Sequence, residues 1–67
     1  MSGVVVHRTL KGKTLVSTDQ VGPLPAGLTV YCFEDEGSWF RIITPQPILG
    51  SYQFKLAATH KGAFTEV

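Results

Sequence analysis

Cysteine is nearly absent from this chain: Cys32 is the single thiol in 67 residues, so no disulfide can form within it. Small secreted domains usually rest on several bridges, and a lone thiol points instead to a reducing compartment. The expected address is the cytoplasm, or the host cytoplasm if a virus encodes the chain. Charge is also sparse. Asp, Glu, Lys and Arg make up 16% of the residues, six basic against five acidic, for a net charge of +1. That balance excludes a basic nucleic-acid tail and an acidic solvating segment. Long apolar runs are missing too, and nothing approaches the roughly 20 residues of a membrane span. The opening MSGVVVHRTLKGK lacks the apolar core and cleavage site of a signal peptide. Gly3 comes one position too late for a myristoylation signal.

What remains is apolar enough to fold. Hydrophobic residues reach 43%, which argues against disorder. The length allows one domain, residues 1–67, with a small core: a chain of this size buries only about 60% of the surface it exposes when unfolded.

Glycine and proline cut the sequence into short pieces. Val4 to Leu10 and Thr14 to Thr18 read as a hairpin about Lys11-Gly12-Lys13, whose glycine can take a left-handed conformation. Asp19 to Gly27 holds two glycines and two prolines and reads as a stiff loop. Leu28 to Glu34 alternates, with Leu28, Val30 and Cys32 on one face and Thr29, Tyr31 and Phe33 on the other. Both faces are largely apolar, which predicts a central strand covered on both sides. Asp35-Glu36-Gly37 turns the chain, and Ser38 to Thr44 returns with Trp39, Arg41 and Ile43 opposite Phe40 and Ile42. Pro45-Gln46-Pro47 is expected to end that strand. Tyr52 to Ala58 is favoured as a strand by alternation, with a short helical turn near residues 52–60 as the alternative. Ala63 to Val67 reads as a last short strand. Five to six short strands with short connections predict an all-β fold, a small barrel that hides its sheet edges by curling.

The stretch PAGLTVYCFEDEGSWFRI, residues 25–42, resembles the middle of a bacterial SH3-like domain. Gly27 precedes the strand, Val30, Cys32 and Phe33 fill it, Glu34 to Gly37 form an acidic-glycine turn, and Trp39-Phe40-Arg41-Ile42 return. The chain departs from that family at Gly50-Ser51-Tyr52-Gln53-Phe54, where a glycine-tryptophan-valine type of strand is common. The resemblance implies a small SH3-like β-barrel that recognises another molecule and does not catalyse.

The residues themselves point the same way. A catalytic Cys32 would need a positive group beside it, whereas it lies mid-strand on the Leu28 and Val30 face, where cysteine behaves as a small hydrophobe. One cysteine, two isolated histidines and a separate acidic turn show no metal-ligand spacing, and no cofactor motif is present. Most of the seven aromatic residues are needed for a core, but both faces of the Leu28 to Thr44 hairpin are apolar and a small barrel has one interior. That surplus on the hairpin calls for a loop, a second copy or a partner to cover it. The expected function is therefore a non-enzymatic protein-protein interaction module that also self-associates. Two contexts fit, a phage or mobile-element accessory protein and a subunit of a larger assembly. Tyr31, Trp39 and Tyr52 are the expected anchors, Arg41 lies among them, and Pro23 and Pro25 offer a second contact surface. Glu34, Asp35 and Glu36 either simply turn the chain or present three charges to a basic partner. A nucleic-acid-binding barrel stacking bases on these aromatics is the alternative, disfavoured by scattered cations and the acidic turn.

Overall fold

The computed structural model describes residues 8–67. Val4 to Val6 and His7, in the first arm of the expected hairpin, lie outside them. The described chain is all-β with one short 3-10 turn. Strand β1 spans Lys13–Ser17, β2 Thr29–Asp35, β3 Trp39–Ile48 and β4 Ser51–Ala57; the 3-10 turn covers Ala58–Ala63, and β5 is Phe64–Glu66. They form one antiparallel sheet in the order β4-β3-β2-β1-β5.

The sheet curls into a small barrel-like shape. Strands β3 and β5 stand three places apart in the sheet, which in a flat sheet would separate them by about 14 Å. Yet Phe40 of β3 and Phe64 of β5 meet edge to face, with ring centroids 5.9 Å apart. Inside the curl lie Leu10, Leu15, Val21, Leu24, Val30, Cys32, Phe40, Ile42 and Phe64. The inward residues of β2 and β3 are the ones alternation assigns, Val30 and Cys32 against Phe40 and Ile42. No helix among the described residues is long and apolar enough to cross a membrane.

Two expectations about strands change, and a third holds. Gly12 does turn the chain at φ 78°, but Arg8 to Leu10 is not a strand. β1 is already hydrogen-bonded to β2 on one side and β5 on the other, so Thr14 to Val16 has no edge left for a hairpin partner. β3 does not end at Pro45 but continues through Pro45 and Pro47 to Ile48. Its regular ladder with β2 reaches only as far as Tyr31 opposite Ile43, and its register with β4 is interrupted between Ile43 and Ile48. The two prolines therefore sit where no regular ladder bond is missed. Residues 52–57 are strand, and the helical turn comes after them.

The Asp19 to Gly27 loop is stiff and anchored. Val21 and Leu24 exchange two backbone hydrogen bonds of 2.9 Å across Gly22-Pro23, and both side chains enter the core. The buried Ser17 hydroxyl donates to the Pro25 carbonyl at 2.7 Å and accepts the Leu28 N–H at 2.9 Å.

Candidate interaction surface

Paired residues in register share a face of the sheet, and three rungs build the outer one. Thr14, Tyr31, Ile43 and Gln53 form one rung across β1 to β4. Arg41 and Lys55 lie opposite each other on the next, and Trp39 pairs with Ala57 beyond them. Tyr31 is 44% exposed and Ile43 39%. Between them runs a shallow groove lined also by Thr14, Thr29, Thr44 and Pro45. The expected cover on both sides of β2 is thus corrected: β2 is central in the sheet, but among the described residues its outer face is open. The single interior is filled by the other face.

Trp39 is half-buried at the start of β3, as its place after a turn suggested. Two cations flank its ring, the Arg41 guanidinium 5.1 Å from the centroid and the Lys55 ammonium 4.6 Å away. The ring's negative face attracts both. Arg41 also faces the Glu34 carboxylate at 3.6 Å, a long and half-exposed contact worth little.

Of the expected site residues, Tyr31, Trp39, Arg41 and Glu34 share this face, with Arg41 near Trp39 and Glu34 and with Tyr31 farther along the sheet. Tyr52 does not join them. It has the parity of Phe54 and Leu56, opposite to Gln53 and Lys55, and lies at the sheet edge, 52% exposed. Pro23 and Pro25 are exposed, but their loop precedes β2 while the acidic turn follows it. The length of β2, about 20 Å, separates the two.

The acidic turn is corrected in its central member. Alternation along β2 would send Asp35 outward with Tyr31. Between Cys32 opposite Ile42 and Glu34 opposite Arg41, however, β2 carries one extra residue. This bulge at Phe33 reverses the parity that follows. Glu34 therefore faces out beside Arg41, and Asp35 pairs with the inward Phe40. The Asp35 side chain is only 3% exposed and forms a 2.8 Å ion pair with Lys61, itself 4% exposed. It also accepts the Leu10 N–H at 2.8 Å and the Gly37 N–H at 2.9 Å. Burial pushes the Asp35 carboxyl up, but the Lys61 hydrogen bond and charge and the two N–H groups outweigh it and hold it below its ordinary value. Lys61 in turn donates to the Arg8 carbonyl at 2.9 Å. Three charges at a solvated tip are not what the chain presents; Glu36 alone is exposed there.

Cys32 is fully buried, donates to the Glu34 carbonyl at 3.3 Å, and has its thiol pushed up by burial. Among the described residues no three His, Cys, Asp or Glu side chains gather to hold a metal. Sequence reasoning had placed Ile43 on the Trp39 face without nominating it. Lys55 and Lys61 it missed as participants: Lys55 meets Trp39 only across strands, and Lys61 lies 26 residues from Asp35. Comparisons with protein-family models, with curated proteins and with solved structures find no match for this chain.

Proposed function

We propose that this chain is a non-enzymatic interaction module that docks another protein on the outer face of its sheet. The exposed cross-strand pair of Tyr31 and Ile43 carries this reading, because apolar side chains set side by side on an open sheet face gain most from being covered. Trp39, with Arg41 and Lys55 over its ring, lies farther along the same face as a pre-positioned anchor, which lowers the entropy lost on binding. An SH3-like barrel suits this role. The strand order β4-β3-β2-β1-β5, with a 3-10 turn leading into the last strand, supports that assignment alongside residues 25–42. The buried, unactivated Cys32 favours binding over nucleophilic chemistry. A lone thiol suits the cytoplasm of the cell that makes the protein or of a host, and a phage accessory protein and an assembly subunit both fit.

A second reading, single-stranded nucleic acid stacked on Tyr31 and Trp39, draws on the two cations beside them. It stands second because both cations already face the indole and Arg41 faces Glu34 as well, with a net charge of only +1. The test is capture from the native cell with and without nuclease, using the wild type and Ile43→Glu, a charge placed mid-face at an exposed position. A nuclease-resistant protein retained by the wild type and lost from folded Ile43→Glu is expected. Retained nucleic acid would favour the second reading, and equal capture by both proteins would move the site off this face.

A further inference from the structure

The outer face does not account for Tyr52, nor for the partial exposure of Phe54 and Leu56 on the other side of β4. Among the described residues β4 is hydrogen-bonded to β3 alone, and it ends the sheet on its side. The Tyr52 carbonyl accepts from Thr44 of β3 at 3.3 Å, and the Ala58 N–H reaches Ser38 at 2.9 Å. Even-numbered residues of β4 therefore turn their backbone groups toward β3. Gln53, Lys55 and Ala57 turn theirs outward; the Ser51 hydroxyl holds the Gln53 N–H and C=O, and Ser51 itself pairs with Ile48 of β3. Lys55 and Ala57 are left with outward N–H and C=O groups in an exposed strand.

We infer that a second copy of this chain pairs with that edge, β4 against β4 in antiparallel register about a two-fold axis at Phe54. Because Gln53, Lys55 and Ala57 turn their backbone groups outward in both copies, odd residues must face odd and even face even. Centring on Lys55 would set two ammonium groups directly opposite each other, which is unfavourable, and centring on Gln53 or Leu56 would leave Leu56 or Tyr52 without an apolar counterpart. Centring on Phe54 sets Gln53 opposite Lys55 on one face of the joined sheet. On the other face it sets Phe54 against Phe54 and Tyr52 against Leu56. The strand is self-complementary in this register, without a like-charge pair. It closes the half-buried apolar row Tyr52, Phe54 and Leu56 with an identical row, and it joins the Lys55 backbone groups of each copy to those of Gln53 in the other, which the Ser51 hydroxyl then yields to the pairing. A lysine commonly guards an edge against such pairing. Here Lys55 lies 4.6 Å from the Trp39 ring, drawn over the outer face. The resulting two-fold interface is isologous, the commonest arrangement among homo-oligomers, and it leaves the Tyr31 and Ile43 face free.

Sedimentation equilibrium of the full chain tests this with two exposed-site variants. Gln53→Lys places a lysine opposite Lys55 twice per dimer and should raise the dissociation constant about tenfold, while Gln53→Glu should lower it by a similar factor. Both shifts should shrink at high salt. Amide exchange at Lys55 should slow as protein concentration rises. A chain monomeric at millimolar concentration overturns the inference. So does a dimer indifferent to both Gln53 variants but dissolved by Tyr31→Glu, which would move self-association to the outer face. Slow exchange at Lys55 independent of concentration overturns it as well, by assigning the edge to an occupant from the same chain.

Discussion

Removing the ammonium group of Lys61 should nearly unfold this protein at neutral pH and do progressively less harm as the pH falls. In Lys61→Met the Asp35 carboxylate keeps its Leu10 and Gly37 N–H donors but loses the cation 2.8 Å away, with almost no water to replace it. Breaking one side of a buried pair typically costs about 3–5 kcal/mol. At roughly 0.05–0.15 kcal/mol per residue, a chain of this length has only about 3–10 kcal/mol to lose. The Arg8 carbonyl also loses its donor. Near 4–8 °C for each kcal/mol in a domain this small, the melting temperature should drop by about 15 °C or more at pH 7.

The pH dependence follows from the Asp35 carboxyl, whose folded-state value lies below the ordinary one. A depressed carboxyl contributes stability that is complete above its unfolded value, near 4, and is lost as the pH falls through the lower folded value. That contribution depends on the cation at Lys61, so wild type and Lys61→Met should converge only as the pH falls through that lower folded value, when Asp35 becomes protonated in both. The assay is thermal unfolding by circular dichroism across neutral to acid pH. A gap that stays constant from pH 7 into the acid range, or a loss under about 1 kcal/mol at neutral pH, would refute the reasoning, because the pair would then not be buried in solution.

Two further substitutions separate fold from surface. Ile42→Ala empties a fully buried site between β2 and β4 and should cost about 2–5 kcal/mol. Trp39→Ala, on the outer face of the same strand, should melt cooperatively within about 10 °C of the wild type but lose its protein partner; an unfolded Trp39→Ala would make the indole a core residue. Leu49 stands 87% exposed at the β3–β4 turn with φ 51°, beside Gly50 at 78°. Two successive left-handed residues make a turn that favours Asn-Gly, so Leu49→Asn should raise the melting temperature by about 4–8 °C for each kcal/mol of relieved strain. An unchanged or lower melting point would show that Leu49 is not strained there.

Much of this molecule can be read from alternation, and the part that cannot has a single local cause. The inward set Val30, Cys32, Phe40 and Ile42 and the outward set Tyr31, Trp39, Arg41 and Ile43 follow from a period of two, because β2 and β3 pair regularly as far as Cys32 opposite Ile42. Beyond that rung the period fails. A bulge inserts one residue at Phe33, and no local residue type announces it, since Phe33-Glu34-Asp35 carries neither glycine nor proline. The acidic run consequently reads as one solvated feature when it is three separate ones: Glu34 against Arg41, Asp35 in the interior and Glu36 in water. The Lys61 that neutralises Asp35 is equally silent in the sequence, because a lysine beside a glycine near a chain end looks like surface. The same bulge bears on function. By reversing the parity it exchanges Asp35 for Glu34 on the outer face, where that carboxylate meets Arg41 beside Lys55 and Trp39. Deleting Phe33 should leave both pairings in place, Glu34 opposite Arg41 and Asp35 opposite Phe40, because losing the extra residue restores a regular ladder with the same parity beyond it. A deletion variant whose melting temperature no longer responded to Lys61→Met would mean that the bulge itself, and not the parity it sets, positions Asp35.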